Sequence, residues 1–197
     1  HLVEDKILVI KAERGEYKLH IMDPLDYPNI DFVCLENPLT IHADKFKSII
    51  KQTSFATAVS EKKPILTGVH FKLNSNHLTA IATDSFRLAQ SVMDVENYKD
   101  FDITVPNKSL DELVKVLDNF HENVNLYFSS NKLLVKFKNV LFQTRLLDGN
   151  FPDTSRLIPS NYPIIIYFNK NELLDAVERV SLLSPRDKVG DREIAYS

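Results

Sequence analysis

One helical pattern occurs three times along the chain, at a spacing of about 63 residues. Phe46, Leu110 and Leu173 hold equivalent places in the three copies, and each is followed by apolar residues three and four positions later. That spacing is typical of an amphipathic helix. A short β-branched or apolar run precedes each helix, and three such runs follow each of the first two helices. The repeated unit is therefore predicted to be a strand, a helix and three strands.

A longer period separates two connectors that contain proline. Pro28 and Pro152 lie about 124 residues apart, which is the size of a domain. The third copy of the unit stops before the strands that should follow its helix, so we expect a fragment of a longer protein. The predicted parts are a domain tail at residues 1–29, a complete domain of two units at residues 30–158 and the opening of a further domain at residues 159–197, with boundaries near Asn29 and Ile158.

The first unit carries the clearest strand pattern. The run from Leu78 to Thr83 alternates in side-chain type, contains β-branched residues and lacks Gly and Pro, which indicates a half-buried strand. Asp84-Ser85 then favours a turn, because an Asp side chain can accept a hydrogen bond from the backbone two residues on. With Ile65–Leu73 before it and Phe86–Met93 after it, this run predicts a three-stranded meander.

Composition limits the class of protein. Hydrophobic residues make up 44% of the 197 residues and charged residues 26%, as in an ordinary globular protein that forms a sizeable core. No run approaches the length of a membrane span and the start of the chain lacks a signal pattern, so we expect a cytoplasmic protein without membrane contact. Cys34 is the only cysteine, which excludes an internal disulfide and a cysteine-rich zinc site.

Lysines on two of the predicted helices point away from the apolar stripes. At about 100° per residue, Lys47 and Lys51 fall off the stripe of the first helix, and Lys108 and Lys115 fall opposite the stripe of the second. The net charge of −3 excludes a surface that is basic throughout, but a local basic face still allows DNA binding. The alternative is an ordinary solvated face, since acidic residues share the outer side of the second helix.

The acidic residues also allow the hypothesis that the protein is an enzyme. Carboxylates are the ligands that Mg²⁺ prefers, so a metal-dependent nuclease or phosphotransferase is an alternative function. No phosphate loop, H-E-x-x-H motif or G-x-S-x-G motif accompanies these carboxylates. A carbohydrate-binding sheet would require exposed aromatic clusters, and the chain has no tryptophan. The candidate carboxylate pairs are Asp100 with Asp102, Asp148 with Asp153, and Asp187 with Asp191.

Three ordered blocks of sequence carry a resemblance to a known family. The first block runs from Lys63 through Phe71 to the segment Leu78–Ala89, and the second is Leu147–Asp153 with Arg156–Pro159. The third is Ala176–Ser184. Together they resemble the bacterial DNA polymerase III beta subunit, the sliding clamp, over essentially the whole chain. This resemblance implies an α+β DNA clamp fold, with antiparallel sheets outside and helices lining the inner face of a ring.

The resemblance also implies two sets of site residues. Helix lysines, together with lysines of a loop before the strand at Ile65, would contact the phosphate backbone of duplex DNA without reading its sequence. These lysines are Lys47, Lys51, Lys62, Lys63, Lys108 and Lys115. A hydrophobic pocket would receive a short peptide from clamp users. Its residues here are Leu66, Thr83, Ser85, Phe86, Arg87 and Leu88 from the meander and Pro152, Arg156 and Leu157 from the connector.

Partners follow from the same resemblance. The family implies binding to duplex DNA, to the polymerase III alpha subunit and to other proteins with a clamp-binding motif. It also implies a separate ATP-driven clamp loader and a homodimeric ring in the full-length protein. The clamp itself would need no cofactor and no metal and would not be an enzyme. Phe86 departs from the family pattern, which commonly has His there, and this change enlarges the apolar wall of the pocket.

Overall fold

The predicted unit of a strand, a helix and three strands occurs twice in the computed structural model, which describes residues 2–3, 7–27, 37–96, 99–159 and 161–183. The first copy consists of β4 (Leu39–His42), α1 (Ala43–Lys51), β5 (Gly68–Asn74), β6 (His77–Thr83) and β7 (Leu88–Asp94). The second consists of β8 (Phe101–Pro106), α2 (Asn107–Val116), β9 (Asn123–Phe128), β10 (Lys132–Phe137) and β11 (Val140–Arg145). The unit predicted from the sequence is confirmed.

Ahead of these units lies a small antiparallel sheet. Its strands are β1 (Leu2–Val3), β2 (Ile7–Ala12) and β3 (Gly15–His20), in that order across the sheet. Ala12 pairs with Gly15, which leaves a two-residue turn between the second and third strands. Short 3-10 helices follow at Pro24–Asp26, and within the first unit at Ser54–Ala56 and Pro64–Thr67.

The two units exchange their first strands. One sheet has the order β11-β10-β9-β4 and the other has the order β7-β6-β5-β8. In the first sheet Ile41 of β4 pairs with Val124 of β9, and in the second Val69 of β5 pairs with Val105 of β8. Each sheet therefore needs a strand from the other unit, so neither unit completes its sheet without the other.

A single apolar core lies under these two sheets. The helix residues that face it are Phe46, Ile49 and Ile50 from α1 with Leu110 and Leu113 from α2, and each is at most 3% exposed. They meet the inward residues of the strands, as the Phe46 and Phe71 rings do at a centroid distance of 6.2 Å. The predicted apolar stripes of the first two helices are confirmed.

Gly68 permits a close approach of two strands at the start of β5. A Cβ atom at this position would lie 2.4 Å from the carbonyl oxygen of Val105 and 2.7 Å from Cδ1 of Leu147. The backbone of Gly68 is extended, so the requirement for glycine comes from space and not from an unusual φ angle. This position admits no larger residue without movement of β8.

The start of α2 differs from the sequence pattern. Ser109 and Glu112 have the spacing of a capping box, yet the N-cap of α2 is Pro106, which makes no side-chain capping hydrogen bond. Ser109 lies inside the helix, where its hydroxyl accepts a hydrogen bond from Thr144 Oγ1 at 2.8 Å. No capping box forms here, because β8 runs directly into the helix and leaves no turn for a Ser cap.

By its internal contacts, the described part of the chain divides into two compact bodies, which are distinct from the repeated units: the first lies within residues 1–151 and the second within residues 152–197. In the second, α3 spans Lys170–Ser181, and the side chain of its N-cap Asn169 accepts a hydrogen bond from the Asn171 backbone at 2.9 Å. The predicted third helix is confirmed. Its apolar residues are exposed within the described chain, with Leu173 at 42% and Val177 at 56%.

Some expectations fall outside the described residues. These are the boundary near Asn29, the environment of Cys34, the acidic pair Asp187 and Asp191, and the last part of the third domain. The predicted boundary near Ile158 stays a prediction. None of the helices in the described part of the chain is both long and apolar enough to cross a membrane.

Candidate functional site

The turn after β6 is organised by the Asp84 carboxylate. Its Oδ1 accepts hydrogen bonds from the backbone N–H groups of Phe86 and Arg87, both at 3.0 Å, and its Oδ2 accepts one from Arg87 Nε at 3.0 Å. Burial opposes ionisation, but these donors outweigh it and hold the pKa of Asp84 below its ordinary value. The predicted turn at Asp84-Ser85 is confirmed.

The Thr83 hydroxyl forms two further hydrogen bonds with the backbone of the same turn. Its hydroxyl donates to the Arg87 carbonyl at 2.7 Å and accepts from the Ser85 backbone N–H at 3.1 Å. Ser85 has a positive φ of 80°, a conformation that costs free energy for a residue with a Cβ atom. These bonds fix the Phe86 side chain on the outside of the turn, where it is 98% exposed.

The predicted pocket residues of the first unit differ in exposure. Leu66 and Thr83 are buried, Leu88 is half-buried, and Ser85, Phe86 and Arg87 are exposed. Leu66, at 4% exposed, belongs to the packing beneath the surface, and its carbonyl accepts the Ala58 backbone N–H at 2.8 Å. The turn of the meander therefore carries an exposed aromatic residue next to an exposed arginine, whereas Leu66 is buried in the 3-10 helix that precedes β5.

Phe55 belongs to neither of the two sets of site residues that were predicted from the sequence. It lies in the 3-10 helix Ser54–Ala56, is 60% exposed, and has the Arg87 guanidinium carbon 5.9 Å from its ring centroid. A helical wheel contained a signal, because Phe55 falls about 180° from Phe46 and so off the apolar stripe. Val59, on the segment that follows, is 92% exposed.

The other three predicted pocket residues lie in the second compact body, after the second repeat has ended. Pro152, Arg156 and Leu157 are all exposed, Leu157 at 63%. A turn holds this segment, in which the Leu157 backbone N–H donates to the Thr154 carbonyl at 3.0 Å. Their assignment to a peptide pocket stays a prediction.

Five of the six predicted DNA-contacting lysines are exposed: Lys51, Lys62, Lys63, Lys108 and Lys115. Lys115 donates to Glu112 Oε1 at 2.8 Å, and this hydrogen bond raises the pKa of the Lys115 ammonium. That pair is fully solvated, so it leaves Lys115 able to exchange Glu112 for another anion. The DNA contacts of these five lysines stay predictions.

Lys47 is a correction to the predicted set. It is 8% exposed, and its ammonium donates to the carbonyls of Leu117 at 3.0 Å, Phe120 at 3.2 Å and Asp118 at 3.3 Å. These carbonyls lie at and just beyond the end of α2, where the helix dipole favours a cation. The expectation that Lys47 faces solvent is wrong, because the wheel of one helix does not show a second helix packed at its border.

Two further side chains complete this junction between α1 and the segment after α2. Asp44 Oδ1 lies 2.9 Å from Lys47 Nζ, and the Asp44 carboxylate lies 3.0 Å from Nδ1 of His121. The hydrogen bond from Lys47 is the largest cause that holds the pKa of Asp44 below its ordinary value, and His121 adds to it. Lys47 thus serves the packing of the two helices.

A buried histidine lies on the outer face of β5. His70 Nδ1 is 3.1 Å from Thr104 Oγ1, and its Nε2 is 3.2 Å from Asp102 Oδ1. The Phe151 ring stacks on the imidazole at a centroid distance of 4.5 Å and an angle of 7°. Burial is the main cause that lowers the pKa of His70, while Asp102 acts to raise it.

Three carboxylates of the enzymatic alternative have structural partners. Asp100 accepts the Ser75 backbone N–H at 2.9 Å, Asp102 pairs with His70, and Asp153 accepts the Ser155 backbone N–H at 2.9 Å. Within the described ranges, no three His, Cys, Asp or Glu side chains lie close enough together to hold a metal ion.

Comparison with known proteins bears on these surfaces. The family model for the DNA polymerase III beta subunit, central domain, matches residues 40–153. The beta sliding clamp of Bacillus subtilis is 39% identical over 180 residues, which cover 90% of this chain and 48% of that protein. The beta sliding clamp of Streptococcus pneumoniae TIGR4 is 39% identical over 190 residues, covering 95% of this chain and 50% of that protein. The chain thus spans about half the length of these relatives.

Solved structures agree with the sequence match. The crystal structure of the Bacillus subtilis DNA polymerase sliding clamp superposes with a TM-score of 0.86 at 37% identity, covering 95% of this chain and 50% of that one. The beta subunit from DNA polymerase of Streptococcus pyogenes gives a TM-score of 0.82 at 38% identity, covering 92% of this chain and 50% of that one. Neither comparison supports a nuclease or phosphotransferase. The chain therefore belongs to the DNA polymerase III beta subunit family and carries its central domain.

Proposed function

We propose that this chain is part of a sliding clamp that encircles duplex DNA and tethers the replicative DNA polymerase during processive synthesis. The supporting observation is the clamp fold itself, matched over 95% of the chain at a TM-score of 0.86 to a DNA polymerase sliding clamp. The function is mechanical and non-catalytic, so it requires no cofactor. Its place is the cytoplasm, where bacterial DNA is replicated.

The contact with DNA rests on exposed lysines. Lys51 is the last residue of α1, and Lys108 and Lys115 lie on α2. Lys62 and Lys63 precede the 3-10 helix that begins at Pro64. Lysine is a mobile point charge on a flexible stem, so it attracts phosphates without reading bases. Weak, exchangeable contacts of this kind give retention on DNA while permitting sliding. Lys47 is left out because its ammonium is committed to α2.

The contact with polymerases and other clamp users rests on the meander. Phe86 and Leu88 offer apolar surface, and Arg87 offers hydrogen-bond donors to a peptide carbonyl or carboxylate. Pro152, Arg156 and Leu157 of the connector are proposed, from the family resemblance, as further residues that contact the peptide. An apolar peptide anchor contributes about 1.5 to 3 kcal/mol when it is fully buried.

Tethering explains how such a surface serves replication. A polymerase that lets go of the primer end while held to a ring on the same DNA rebinds at high effective concentration. The partners proposed are duplex DNA, the polymerase III alpha subunit, other proteins with the clamp-binding motif, and an ATP-driven clamp loader. A homodimeric ring of the full-length protein would make the link to DNA topological.

The test uses the protein as encoded, with any sequence that flanks these 197 residues. It is loaded onto nicked circular DNA with a clamp loader and ATP, and the complex passes through a sizing column before and after the circle is cut. We expect the protein to elute with the circle and to leave the linear DNA. Retention on both forms, or on neither, would contradict the topological link.

A further inference from the structure

An exposed aromatic residue lies beside the proposed peptide surface and outside the set of residues assigned to it. Phe55 is 60% exposed, and the Arg87 guanidinium carbon lies 5.9 Å from the centre of its ring. Phe86, the neighbour of Arg87 in sequence, is 98% exposed. Arg87 therefore has one exposed aromatic ring near its guanidinium and a second exposed aromatic residue as its neighbour in sequence.

The backbone that carries Phe55 is held firmly in place. Thr53, which is fully buried, donates its hydroxyl to the Ile49 carbonyl at 2.9 Å, and the Ala56 backbone N–H donates to the Thr53 carbonyl at 3.0 Å. The Thr57 hydroxyl donates to the Ser54 carbonyl at 2.8 Å. The exposure of Phe55 thus belongs to an ordered segment and not to a frayed helix end.

Two bonds join this segment to the elements of the proposed peptide surface. The Ala58 backbone N–H donates to the Leu66 carbonyl at 2.8 Å. At the other end of the segment, the Ser91 hydroxyl of β7 donates to Gln52 Oε1 at 2.6 Å. Phe55 is therefore positioned by the same packing that positions the meander.

Arg87 is restrained from two sides but keeps donors for a ligand. Its Nε donates to Asp84, and its guanidinium lies over Phe55, while 54% of its side chain stays accessible to solvent. No second carboxylate among the described residues pairs with it. The remaining N–H groups can therefore pair with a carboxylate from outside, in a site that also offers an aromatic ring.

We propose that Phe55 is a further specificity-determining residue of the partner surface, receiving an aromatic side chain of a partner peptide whose adjacent carboxylate pairs with Arg87. This rests on the proposed function, since it presumes that the meander binds peptides. The charge argument is local: Asp84 Oδ2 accepts only from Arg87 Nε, which leaves the terminal N–H groups of the guanidinium as donors, and the loop between Phe55 and Leu66 carries exposed Lys62 and Lys63 beside a single exposed carboxylate, Glu61. An aromatic side chain of the peptide would pack against the Phe55 ring. It would also exclude water from the contact between the Arg87 guanidinium and that ring, which strengthens the cation–π attraction.

The test measures binding of fluorescent peptides by anisotropy, using the protein as encoded. Each peptide carries the clamp-binding segment of the polymerase and differs at one flanking position, which is Phe, Leu or Ala, beside either Asp or Asn. The variants are Phe55→Ala and Phe55→Leu. Tyr17→Ala is a matched control, because Tyr17 is also 60% exposed but lies on β3 of the separate small sheet.

We expect wild type to prefer the peptide with Phe and Asp, and Phe55→Ala to weaken that peptide about tenfold while barely changing the Ala peptide. Phe55→Leu should fall between them, and Tyr17→Ala should match wild type. If Phe55→Ala weakens every peptide equally, Phe55 only supports Arg87 and the inference is wrong. It is also wrong if Phe55→Ala changes nothing. If wild type binds no peptide at all, the proposed function of the meander itself fails.

Discussion

Replacing Lys47 with methionine removes one buried ammonium while keeping most of the apolar stem. The carbonyls of Leu117 and Phe120 then lose a charged donor at 3.0 Å and 3.2 Å in a setting that water reaches poorly. Hydrogen bonds to a charged group contribute about 1.5 to 3 kcal/mol, and a buried carbonyl left without a partner costs about 1 to 3 kcal/mol. These terms overlap, so we expect Lys47→Met to lower the free energy of unfolding by about 2 to 4 kcal/mol.

The assay is urea denaturation followed by circular dichroism, with Lys51→Met as the matched control. Lys51 lies on the same helix and is exposed, so its replacement should change stability by less than about 0.5 kcal/mol. The slope of free energy against urea should stay the same in both variants. Equal midpoints for the two variants would show that the hydrogen bonds from Lys47 add nothing, and would refute the reasoning.

Further expectations concern packing, protonation and the two proposed surfaces. Gly68→Ala should destabilise the protein by about 1 to 3 kcal/mol in the same urea assay, because the new Cβ overlaps the β8 backbone; an unchanged midpoint would contradict this. The pKa of His70 is lowered in the folded state, so the unfolded chain binds the proton more readily and stability should fall as the pH drops below about 6.5. His70→Gln should weaken that dependence, and an identical profile would remove His70 as its cause. Phe86→Asp should abolish binding of the polymerase peptide and change the free energy of unfolding by less than about 0.5 kcal/mol, since the side chain is 98% exposed; unchanged affinity would exclude Phe86 from the site. Lys63→Glu with Lys108→Glu should weaken retention on DNA and reduce the salt slope by about 2, and a slope equal to that of wild type would exclude both lysines.

Local pattern accounts for much of the fold. The unit of a strand, a helix and three strands could be predicted because apolar residues at helical spacing mark α1 and α2, while alternating runs mark the strands after them. The turn at Asp84 could also be predicted, since the carboxylate bonds backbone groups only two and three residues away. In these cases each interaction involves near neighbours in sequence.

Features that depend on distant parts of the chain could not be read in the same way. A helical wheel shows that Phe55 lies off the apolar stripe, but the Arg87 guanidinium that lies over its ring comes from a distant part of the sequence. Ser109 has capping-box spacing, but its hydroxyl bonds Thr144 of β11 instead. Sequence spacing shows which hydrogen bonds neighbouring residues can form. It does not show when a group from a distant part of the chain takes the place of a neighbour as the partner.

By itself the sequence determined the repeated unit, the apolar faces of its helices and the family to which the chain belongs. Tertiary structure alone decided that β4 and β8 exchange between the two units, because strand pairing depends on which sheet edges meet in space. It also decided the role of Lys47, whose ammonium lies among carbonyls about seventy residues further along the chain. Hydrophobic periodicity is a property of short segments, whereas a buried charge takes its function from whatever the fold packs against it.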